Sequence, residues 1–363
     1  MKFDSIVIGG GPAGLACAIR LSRMGMKVLL AERRHLPQEK CCGEFLHPTA
    51  VRELEALLGK TPAGQPIDRV RISALDISRE FDLSTPAMAV ERRALSKALI
   101  EAATRTGVQI SENMEADILR ADPNRFEIRI GTNSAHSERL ILAEGASAAM
   151  TNKIRVAKPV SRVVYGFSAR MEAVFDRKVA LAAVSGGYAG LCDLGGNCVN
   201  IAGLLLPAAY RRLAPNQPGF GARLLAEIPV WAKIVQPDLI ATKFQAPVCA
   251  DEIRGDALPN GAFVVGDCGG MSETAFGDGI ARAFVHARIL DEVLHLHSGN
   301  SKNVAREYVR RIKNSLHRPN RFLLRLAGEL LRSPILARTS LRVAGSWIHS
   351  MVRRATEPAG VPS

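Results

Sequence analysis

The feature that most constrains this chain is a strand, glycine turn and helix pattern at its beginning. A β-branched run leads into Gly9, Gly11 and Gly14, and a helical pattern follows at once. The first glycine permits a tight turn, the second lets a pyrophosphate approach the backbone, and the third lets helix and strand pack closely. The pattern therefore predicts a nucleotide phosphate site at a helix N-terminus, where free N–H groups favour negative charge.

A carboxylate stands where such a site needs one. The second apolar strand, from Lys27 to Ala31, runs directly into Glu32. A carboxylate at this position is placed to accept hydrogen bonds from both hydroxyls of an adenosine ribose. Strand, turn, helix, second strand and carboxylate together favour a βαβ nucleotide-binding unit over an ordinary turn.

Length and composition exclude several classes of protein. The 363 residues are 47% hydrophobic, which suffices for a large core and two intertwined domains. No apolar run approaches a membrane-spanning length and no secretory signal precedes the first strand, so we expect a cytoplasmic protein. Seven scattered cysteines without Cys-x-x-Cys spacing argue against disulfides and structural zinc, and no metal site is predicted.

The positive charge is concentrated in the C-terminal segment. The chain carries a formal charge of +13, and residues 301–363 hold 13 Lys and Arg against 3 Glu, a net +10. Arginines alternate there with leucine and isoleucine at helical spacing. Such helices suit the surface of an anionic membrane; the alternative is a helix pair packed over the body with a solvated basic face. Nucleic-acid binding is not supported, because the segment offers leucines rather than stacking rings.

The remaining pattern alternates helices and strands without an internal repeat. Antiparallel pairing is expected between strands 70–73 and 76–83, and a glycine hairpin within 188–203. Helices are predicted over residues 49–58, 90–106, 220–234 and 280–296. Other strands are predicted over residues 108–110, 116–119, 126–130, 139–143, 163–171, 179–184 and 263–267.

Four separated motifs resemble a known flavoprotein group, that of the aromatic hydroxylases such as p-hydroxybenzoate hydroxylase. More narrowly they resemble geranylgeranyl reductases and archaeal digeranylgeranylglycerophospholipid reductases. The motifs are the glycine turn with Glu32, the loop Lys40-Cys41-Cys42-Gly43-Glu44, Arg92 ahead of Leu95, and Gly266-Asp267 with Gly277-Asp278-Gly279-Ile280. A second phosphate-facing segment some two hundred and fifty residues after the first implies a long ligand that meets the chain twice.

The resemblance implies an α/β fold: a Rossmann-like FAD-binding domain with an inserted, mainly antiparallel substrate sheet and a helical C-terminal segment. The expected FAD-binding domain comprises residues 1–70, 91–150 and 255–298. The substrate domain comprises residues 71–90 and 151–254, and the basic C-terminal segment residues 299–363.

The resemblance also implies roles for individual residues. Asp267 would hold the ribityl and pyrophosphate region of FAD, and backbone N–H groups at Gly279 and Ile280 would lie beside the flavin. Arg92 would contact the FAD phosphates, although Arg93 leaves the register open, and the backbone of Ala116 would touch the adenine. The full expected cofactor set is Gly9, Gly11, Pro12, Ala13, Gly14, Glu32, Arg33, Cys42, Gly43, Arg92, Ala116, Asp267, Gly277, Gly279 and Ile280.

The catalytic candidates are Cys42, Glu44 and His47. Cys42 either shapes the loop as a small apolar group or reaches the flavin as a thiolate, and we favour the first role. Glu44 and His47 are candidate proton donors, with a structural role at the start of the next helix as the alternative for His47. Glu144-Gly145 replaces the Asp-Gly of related hydroxylases, which leaves NADPH docking open.

The sequence predicts an FAD-dependent oxidoreductase that reduces C=C bonds of an isoprenoid or other lipophilic polyene. The alternatives are a monooxygenase that hydroxylates a lipophilic aromatic or polyketide, and a non-catalytic flavin-binding protein associated with a membrane. Halogenation is disfavoured, because Trp231 and Trp347 form no Trp-x-Trp signature. The expected partners are a lipophilic small molecule and, through the basic helices, the inner face of a membrane. NADPH is one possible electron donor, and the oligomeric state stays open.

Overall fold

The computed structural model describes residues 1–154, 163–249, 258, 261–270, 274–297, 301–315, 321–343, 348–350 and 352. The strands within these residues are β1 (Lys2–Ile8), β2 (Val28–Ala31), β3 (Phe45–Leu46), β4 (Gln65–Ala74), β5 (Ile77–Ala89), β6 (Gln109–Ser111), β7 (Ala116–Asp122), β8 (Arg125–Ile130), β9 (Asn133–Leu142), β10 (Val163–Glu172), β11 (Lys178–Val184), β12 (Gly187–Gly195), β13 (Cys198–Leu205), β14 (Lys243–Cys249) and β15 (Ala262–Val264). The α-helices are α1 (Pro12–Arg23), α2 (Pro48–Leu58), α3 (Arg92–Arg105), α4 (Thr151–Ile154), α5 (Pro207–Leu213), α6 (Phe220–Glu227), α7 (Gly279–Leu296), α8 (Ser301–Asn314), α9 (Arg321–Leu331) and α10 (Pro334–Val343).

The first sheet is the Rossmann-like layer, and β1 lies inside it. The strand order is β6–β2–β1–β9–β8–β7, with β1 parallel to both β2 and β9. The first half of β9 pairs antiparallel with β8, and its last residues pair in parallel with β15. The parallel strand predicted at 263–267 is confirmed, although its regular part is Ala262–Val264. The carboxyl ends of β1 and β15 therefore lie on the two sides of β9, at one edge of the sheet.

Helices α1, α2, α3, α7 and α8 share one core with this sheet. Half of the eight buried residues of α1 are small: Ala13, Gly14, Ala16 and Ala18. Small side chains let the helix axis approach the strands closely. Helix α8 joins the same core through Tyr308, whose hydroxyl donates a hydrogen bond to the carbonyl oxygen of Val264 at 2.9 Å.

The second sheet has the order β14–β10–β13–β12–β11–β4–β5–β3. The predicted antiparallel pair β4–β5 and the glycine hairpin between β12 and β13 are confirmed. Strand β4 begins at Gln65, so the expected domain boundary between residues 70 and 71 falls inside a strand. Pairing with β5 extends β4 in this direction, because Gln65 lies in register with Ala89.

The helix predicted over residues 220–234 is wrong in its second half. Helix α6 ends at Glu227, and Pro229–Trp231 form a short 3₁₀ turn. Proline lacks the N–H that would continue the helix, and its ring clashes with the carbonyl one turn earlier. The turn places the Trp231 ring in the core between α5, α6 and one face of the second sheet.

The C-terminal segment packs in two places. Helix α8 packs in the core of the first sheet. Helices α9 and α10 cover the face of the second sheet opposite to Trp231, through Leu331, Ala337 and Leu341. Arg338 of α10 donates to Asp76 at 2.8 Å, and this hydrogen bond lowers the pKa of Asp76 to about 2. No helix among the described residues is long and apolar enough to span a membrane.

Candidate functional site

The glycine turn joins β1 to α1 by close backbone contacts at Gly9 and Gly14. Gly9 has φ +111°, and a Cβ atom there would lie 2.4 Å from the carbonyl oxygen of Ala143. A Cβ on Gly14 would lie 1.9 Å from the carbonyl oxygen of Gly9. A Cβ on Gly11 would meet open space. Gly9 and Gly14 thus fix the turn, and Gly11 leaves it accessible to a ligand.

Glu32 is held at the end of β2 with its carboxylate already oriented. Its two oxygens accept hydrogen bonds from the backbone N–H of Gly10 at 2.7 Å and of Arg34 at 3.0 Å. The side chain is buried, yet each carboxylate oxygen keeps acceptor capacity for a second donor. This arrangement fits a ribose with two neighbouring hydroxyls.

The second corner follows β15 and is braced by α7. Val265 N–H donates to the carbonyl oxygen of Leu142, and Gly266 N–H donates to His286 Nδ1 at 3.3 Å. Arg282 of α7 donates to the carbonyl oxygen of Gly270 at 2.7 Å and to Asp267 at 3.3 Å. Asp267 keeps 38% of its side chain exposed, so its carboxylate is available to a ligand.

The two corners face one cavity of about 560 Å³. That volume lies within the roughly 300–1,000 Å³ typical of cofactor and ligand sites. Twelve of the expected cofactor residues line it: Gly9, Gly11, Pro12, Ala13, Glu32, Arg33, Cys42, Arg92, Ala116, Asp267, Gly279 and Ile280. Gly14, Gly43 and Gly277 are not in the lining. Gly14 packs against the turn, and Gly277 (φ +68°) lies against the ring of Phe45. The contact of Ala116 with adenine stays a prediction.

Two cations, Arg92 and Lys40, line the cavity. Arg92 is 6% exposed, and its buried Nη1 has no hydrogen-bond partner among the described residues. Lys40 Nζ lies beside Gly145, and burial, reinforced by Arg92, lowers its pKa. A buried guanidinium whose Nη1 has no partner among the described residues suits a pyrophosphate, as does a partly desolvated ammonium, because the phosphate oxygens accept charge-assisted hydrogen bonds. The residues present therefore fit FAD. Arg92 lines the cavity, whereas Arg93 is exposed and pairs with Glu39; the contact of Arg92 with the FAD phosphates stays a prediction.

The Cys41-Cys42-Gly43-Glu44 loop closes one side of the cavity and is tied to the second sheet. Asn200 of β13 donates to the carbonyl oxygen of Cys42 at 2.9 Å, and Glu39 pairs with Lys243 of β14 at 3.2 Å. The thiol of Cys42 accepts a hydrogen bond from the N–H of Glu44 at 3.3 Å. Burial raises the pKa of Cys42, and raises that of Cys41 to about 12. These contacts favour the loop-shaping role over a thiolate.

The cysteine environment predicts slow alkylation. Because burial raises the pKa of Cys41 to about 12 and also raises the pKa of Cys42, iodoacetamide at pH 7.5 should modify Cys41 at least a hundredfold more slowly than free cysteine, and should also modify Cys42 more slowly. Mass spectrometry of tryptic peptides against free cysteine in the same solution measures this. Labelling at the free-cysteine rate would show a stabilised thiolate.

Neither candidate proton donor lines the cavity. Glu44 is buried and accepts hydrogen bonds from Arg170 and from the N–H of Arg92. His47 is 1% exposed, and its Nδ1 accepts from Thr49 N–H at 3.1 Å, which caps helix α2. The geometry favours the structural role for His47 over proton donation to a bound substrate.

Glu144 holds the start of α4, a role that the sequence analysis did not predict. Its carboxylate accepts hydrogen bonds from Met150 N–H at 2.7 Å and from both the N–H and the hydroxyl of Thr151, at 2.8 and 2.7 Å. The longer side chain thus reaches the start of α4, which an aspartate would not span. Glu144 and Lys40 are cavity residues that sequence reasoning did not assign, although both stood within or beside the quoted motifs.

Comparison with known proteins fixes the family. Residues 3–191, just over half of the chain, match the family model described as pyridine nucleotide-disulphide oxidoreductase. The chain belongs to this family. Six cysteines in the described part of the chain are free thiols: Cys17, Cys41, Cys42, Cys192, Cys198 and Cys268.

A curated relative of this family member matches most of its length. Digeranylgeranylglycerophospholipid reductase 1 of Methanopyrus kandleri is 24% identical over 310 residues, which cover 81% of this chain and 80% of the relative. With the family match and a cavity whose lining fits FAD, this identifies the chain as an FAD-dependent oxidoreductase.

Solved structures share the fold. The myxobacterial chondrochloren halogenase CndH, an FAD-dependent halogenase, superposes with a TM-score of 0.75 at 20% identity, covering 98% of this chain and 90% of that one. A geranylgeranyl bacteriochlorophyll reductase-like protein from Thermoplasma acidophilum gives 0.70 at 18%, covering 98% and 92%. PqsL of Pseudomonas aeruginosa, a probable FAD-dependent monooxygenase, gives 0.70 at 14%, covering 94% and 100%.

Trp231 lies in the core of the second sheet. Trp231 is fully buried, and its indole N–H donates to Ser73 Oγ at 3.3 Å inside the second-sheet core. Trp347 lies outside the described residues. Trp231 is therefore a packing residue remote from the cofactor cavity.

Proposed function

We propose that this flavoenzyme reduces C=C bonds of an isoprenoid or another lipophilic polyene. The observation that carries the proposal is the face of the second sheet that begins at the cofactor loop and ends under the C-terminal helices. Along β13, Asn200, Ala202 and Leu204 share this face, because side chains two apart point the same way. Asn200 contacts the Cys42 carbonyl, and Leu204 packs in the cluster with α9 and α10.

The neighbouring strand follows the same course. Cys192, Gly190 and Tyr188 of β12 lie in register beside Asn200, Ala202 and Leu204. Small side chains thus lie near the cofactor loop, and larger apolar ones lie farther away. The same apolar cluster includes Ala275, which lies two residues before Gly277 and four before the first residue of α7. Small and apolar side chains that lie in register between the cofactor loop and the cluster with α9 and α10 support an extended aliphatic substrate.

When bound, FAD supplies the hydride for such a reduction. The chain's contribution is to exclude water and to orient the double bond beside the start of α7. The N–H groups of Gly279 and Ile280 at that helix N-terminus favour negative charge nearby. Because Glu44 and His47 are engaged outside the cavity, we assign the proton to solvent.

Anaerobic turnover tests the reaction. The full chain with FAD, reduced by dithionite without oxygen, should convert geranylgeraniol to products heavier by two hydrogens for each reduced bond, as read by mass spectrometry. A product that gains an oxygen atom, and only in air, would instead establish the monooxygenase, which the likeness in fold to PqsL favours as the second candidate. Intact bound flavin that no polyene or aromatic reoxidises would leave the non-catalytic flavoprotein.

We propose NADPH as the electron donor, with ferredoxin as the competing source. Stopped-flow mixing of the oxidised protein with NADPH should bleach the flavin absorbance. Reduction by dithionite alone, with no response to NADPH, would assign the donor to another protein.

We also propose that α10 contacts an anionic membrane surface, where a lipid substrate would be met. Leu336 and Val343, seven residues apart, share the face opposite to the buried Ala337 and Leu341, and are 55% and 82% exposed. Ile335, 71% exposed, lies beside them. Exposed apolar side chains on a basic segment are typical of helices that lie in the interface of a bilayer.

Sedimentation with vesicles that contain phosphatidylglycerol tests this contact. The triple change Ile335→Ser, Leu336→Ser and Val343→Ser should reduce the vesicle-bound fraction several-fold while FAD stays bound. Val174→Ser, at a valine 72% exposed on another part of the surface, is the matched control. An unchanged partition of the triple variant, or an equal loss in the control, would remove the membrane contact.

A further inference from the structure

We propose that Glu44 is a positioning residue for the cofactor site. Its carboxylate fixes the start of α3 and so holds Arg92 in the cavity, while Arg170 of the second sheet holds that carboxylate in place. Glu44 itself lies outside the cavity and acts through Arg92.

The backbone of Glu44 is fixed on both sides. The backbone φ of Glu44 is +58°, in the left-handed region. Residues other than glycine adopt this conformation only when their surroundings impose it. The carbonyl oxygen of Glu44 accepts from Val90 N–H at 2.9 Å, and its N–H donates to Cys42 Sγ at 3.3 Å. These contacts aim the side chain at the residue that begins α3.

Helix α3 lacks a local cap. Glu91 occupies the N-cap position but makes no side-chain hydrogen bond to the first turn. The Oε1 atom of Glu44 accepts from the N–H of Arg92, the first residue of the helix, at 3.2 Å. A carboxylate at a helix N-terminus satisfies a free N–H and interacts favourably with the helix dipole. Glu44 thus supplies from a distant loop the cap that Glu91 does not.

Arg170 provides the counter-charge. Its Nη2 donates to Glu44 Oε1 at 2.7 Å, and its Nη1 pairs with Glu91 at 3.2 Å. A carboxylate that is 4% exposed requires such a partner, because an unpaired buried charge is costly. Since Arg170 belongs to β10 of the second sheet, Glu44 links that sheet to Arg92, the cation that lines the cavity.

A double-mutant cycle on FAD affinity tests this role. The test does not depend on which substrate the enzyme reduces. The dissociation constant of FAD is measured by flavin fluorescence on the full chain for Glu44→Ala, Arg92→Ala and the double variant. We expect Glu44→Ala to weaken binding about tenfold in the natural chain. In the Arg92→Ala background the same change should have less than a twofold effect.

Two further variants separate positioning from general support of the loop. Glu44→Gln keeps an acceptor for Arg92 N–H and should restore affinity to within about threefold of the natural chain. Glu91→Gln, which removes the exposed partner of Arg170, should leave affinity unchanged. If Glu44→Ala fails to fold, Arg170→Ala takes its place in the cycle. Additive losses, or a Glu44→Gln variant as weak as Glu44→Ala, would overturn the role.

Discussion

Replacing Gly14 by alanine should destabilise the chain without FAD by about 3 kcal/mol, at the upper end of overpacking effects. The added Cβ would lie 1.9 Å from the carbonyl oxygen of Gly9 and 3.3 Å from the Cβ of Ala143. Both obstacles are backbone or the first atom of a side chain, so no rotamer change relieves them. Helix α1 must move away from β1, which also disturbs the phosphate site. Urea unfolding of the FAD-free variant measures the loss.

Gly11→Ala is the matched control within the same motif. Gly11 has φ −78°, which alanine adopts readily, and its Cβ would meet no protein atom within 4 Å. Stability without FAD should therefore change by less than about 0.5 kcal/mol, whereas FAD affinity should fall at least tenfold because the methyl group occupies the pyrophosphate path. Equal stability losses for the two variants would contradict the assigned division between packing and ligand access.

Replacing Arg92 by alanine should weaken FAD binding by roughly 10- to 100-fold. Hydrogen bonds to charged groups contribute about 1.5–3 kcal/mol, and each 1.4 kcal/mol is a tenfold change. The buried Nη1 of Arg92 has no partner among the described residues, so its hydrogen-bonding capacity is available to the phosphates. Titration of FAD with flavin fluorescence as the signal gives the dissociation constant.

Arg93 is the control for this prediction. It is adjacent in sequence, but its side chain is 63% exposed and pairs with Glu39 rather than lining the cavity. Arg93→Ala should leave FAD affinity within about twofold, since exposed ion pairs contribute little. Arg92→Lys should recover only part of the affinity, because an ammonium lacks the planar fork of a guanidinium. Loss of binding in Arg93→Ala with full binding in Arg92→Ala would reverse the register.

The parts of the fold and site that could be predicted from sequence are those with a local signal. The glycine turn, Glu32 and the Gly266-Asp267 corner each come at the end of a short apolar strand. Parallel strands that end at one edge bring such corners together. The paired strands β4 and β5 were also predictable, because the short connection between them excludes a helix.

What could not be predicted depends on contacts between distant segments. Nothing near Arg170 or Asn200 in the sequence indicates that β10 and β13 reach the loop of residues 41–44. From the sequence, Glu44 is an acid two residues after a cysteine. Its partner Arg170 lies 126 residues away and gives no local signal. The amphipathic pattern of the C-terminal segment likewise does not show that α8 packs on one sheet and α10 on the other.

The most direct test of the account compares FAD with AMP as ligands for Glu32→Ala and Asp267→Ala. If one long nucleotide spans both corners, Glu32→Ala should weaken both ligands about tenfold or more. Asp267→Ala should weaken FAD by a similar factor and leave AMP unchanged, because AMP lacks the second phosphate and the ribityl chain that are assigned to Asp267. Undiminished FAD binding in either variant would contradict a cofactor gripped at both ends of the cavity.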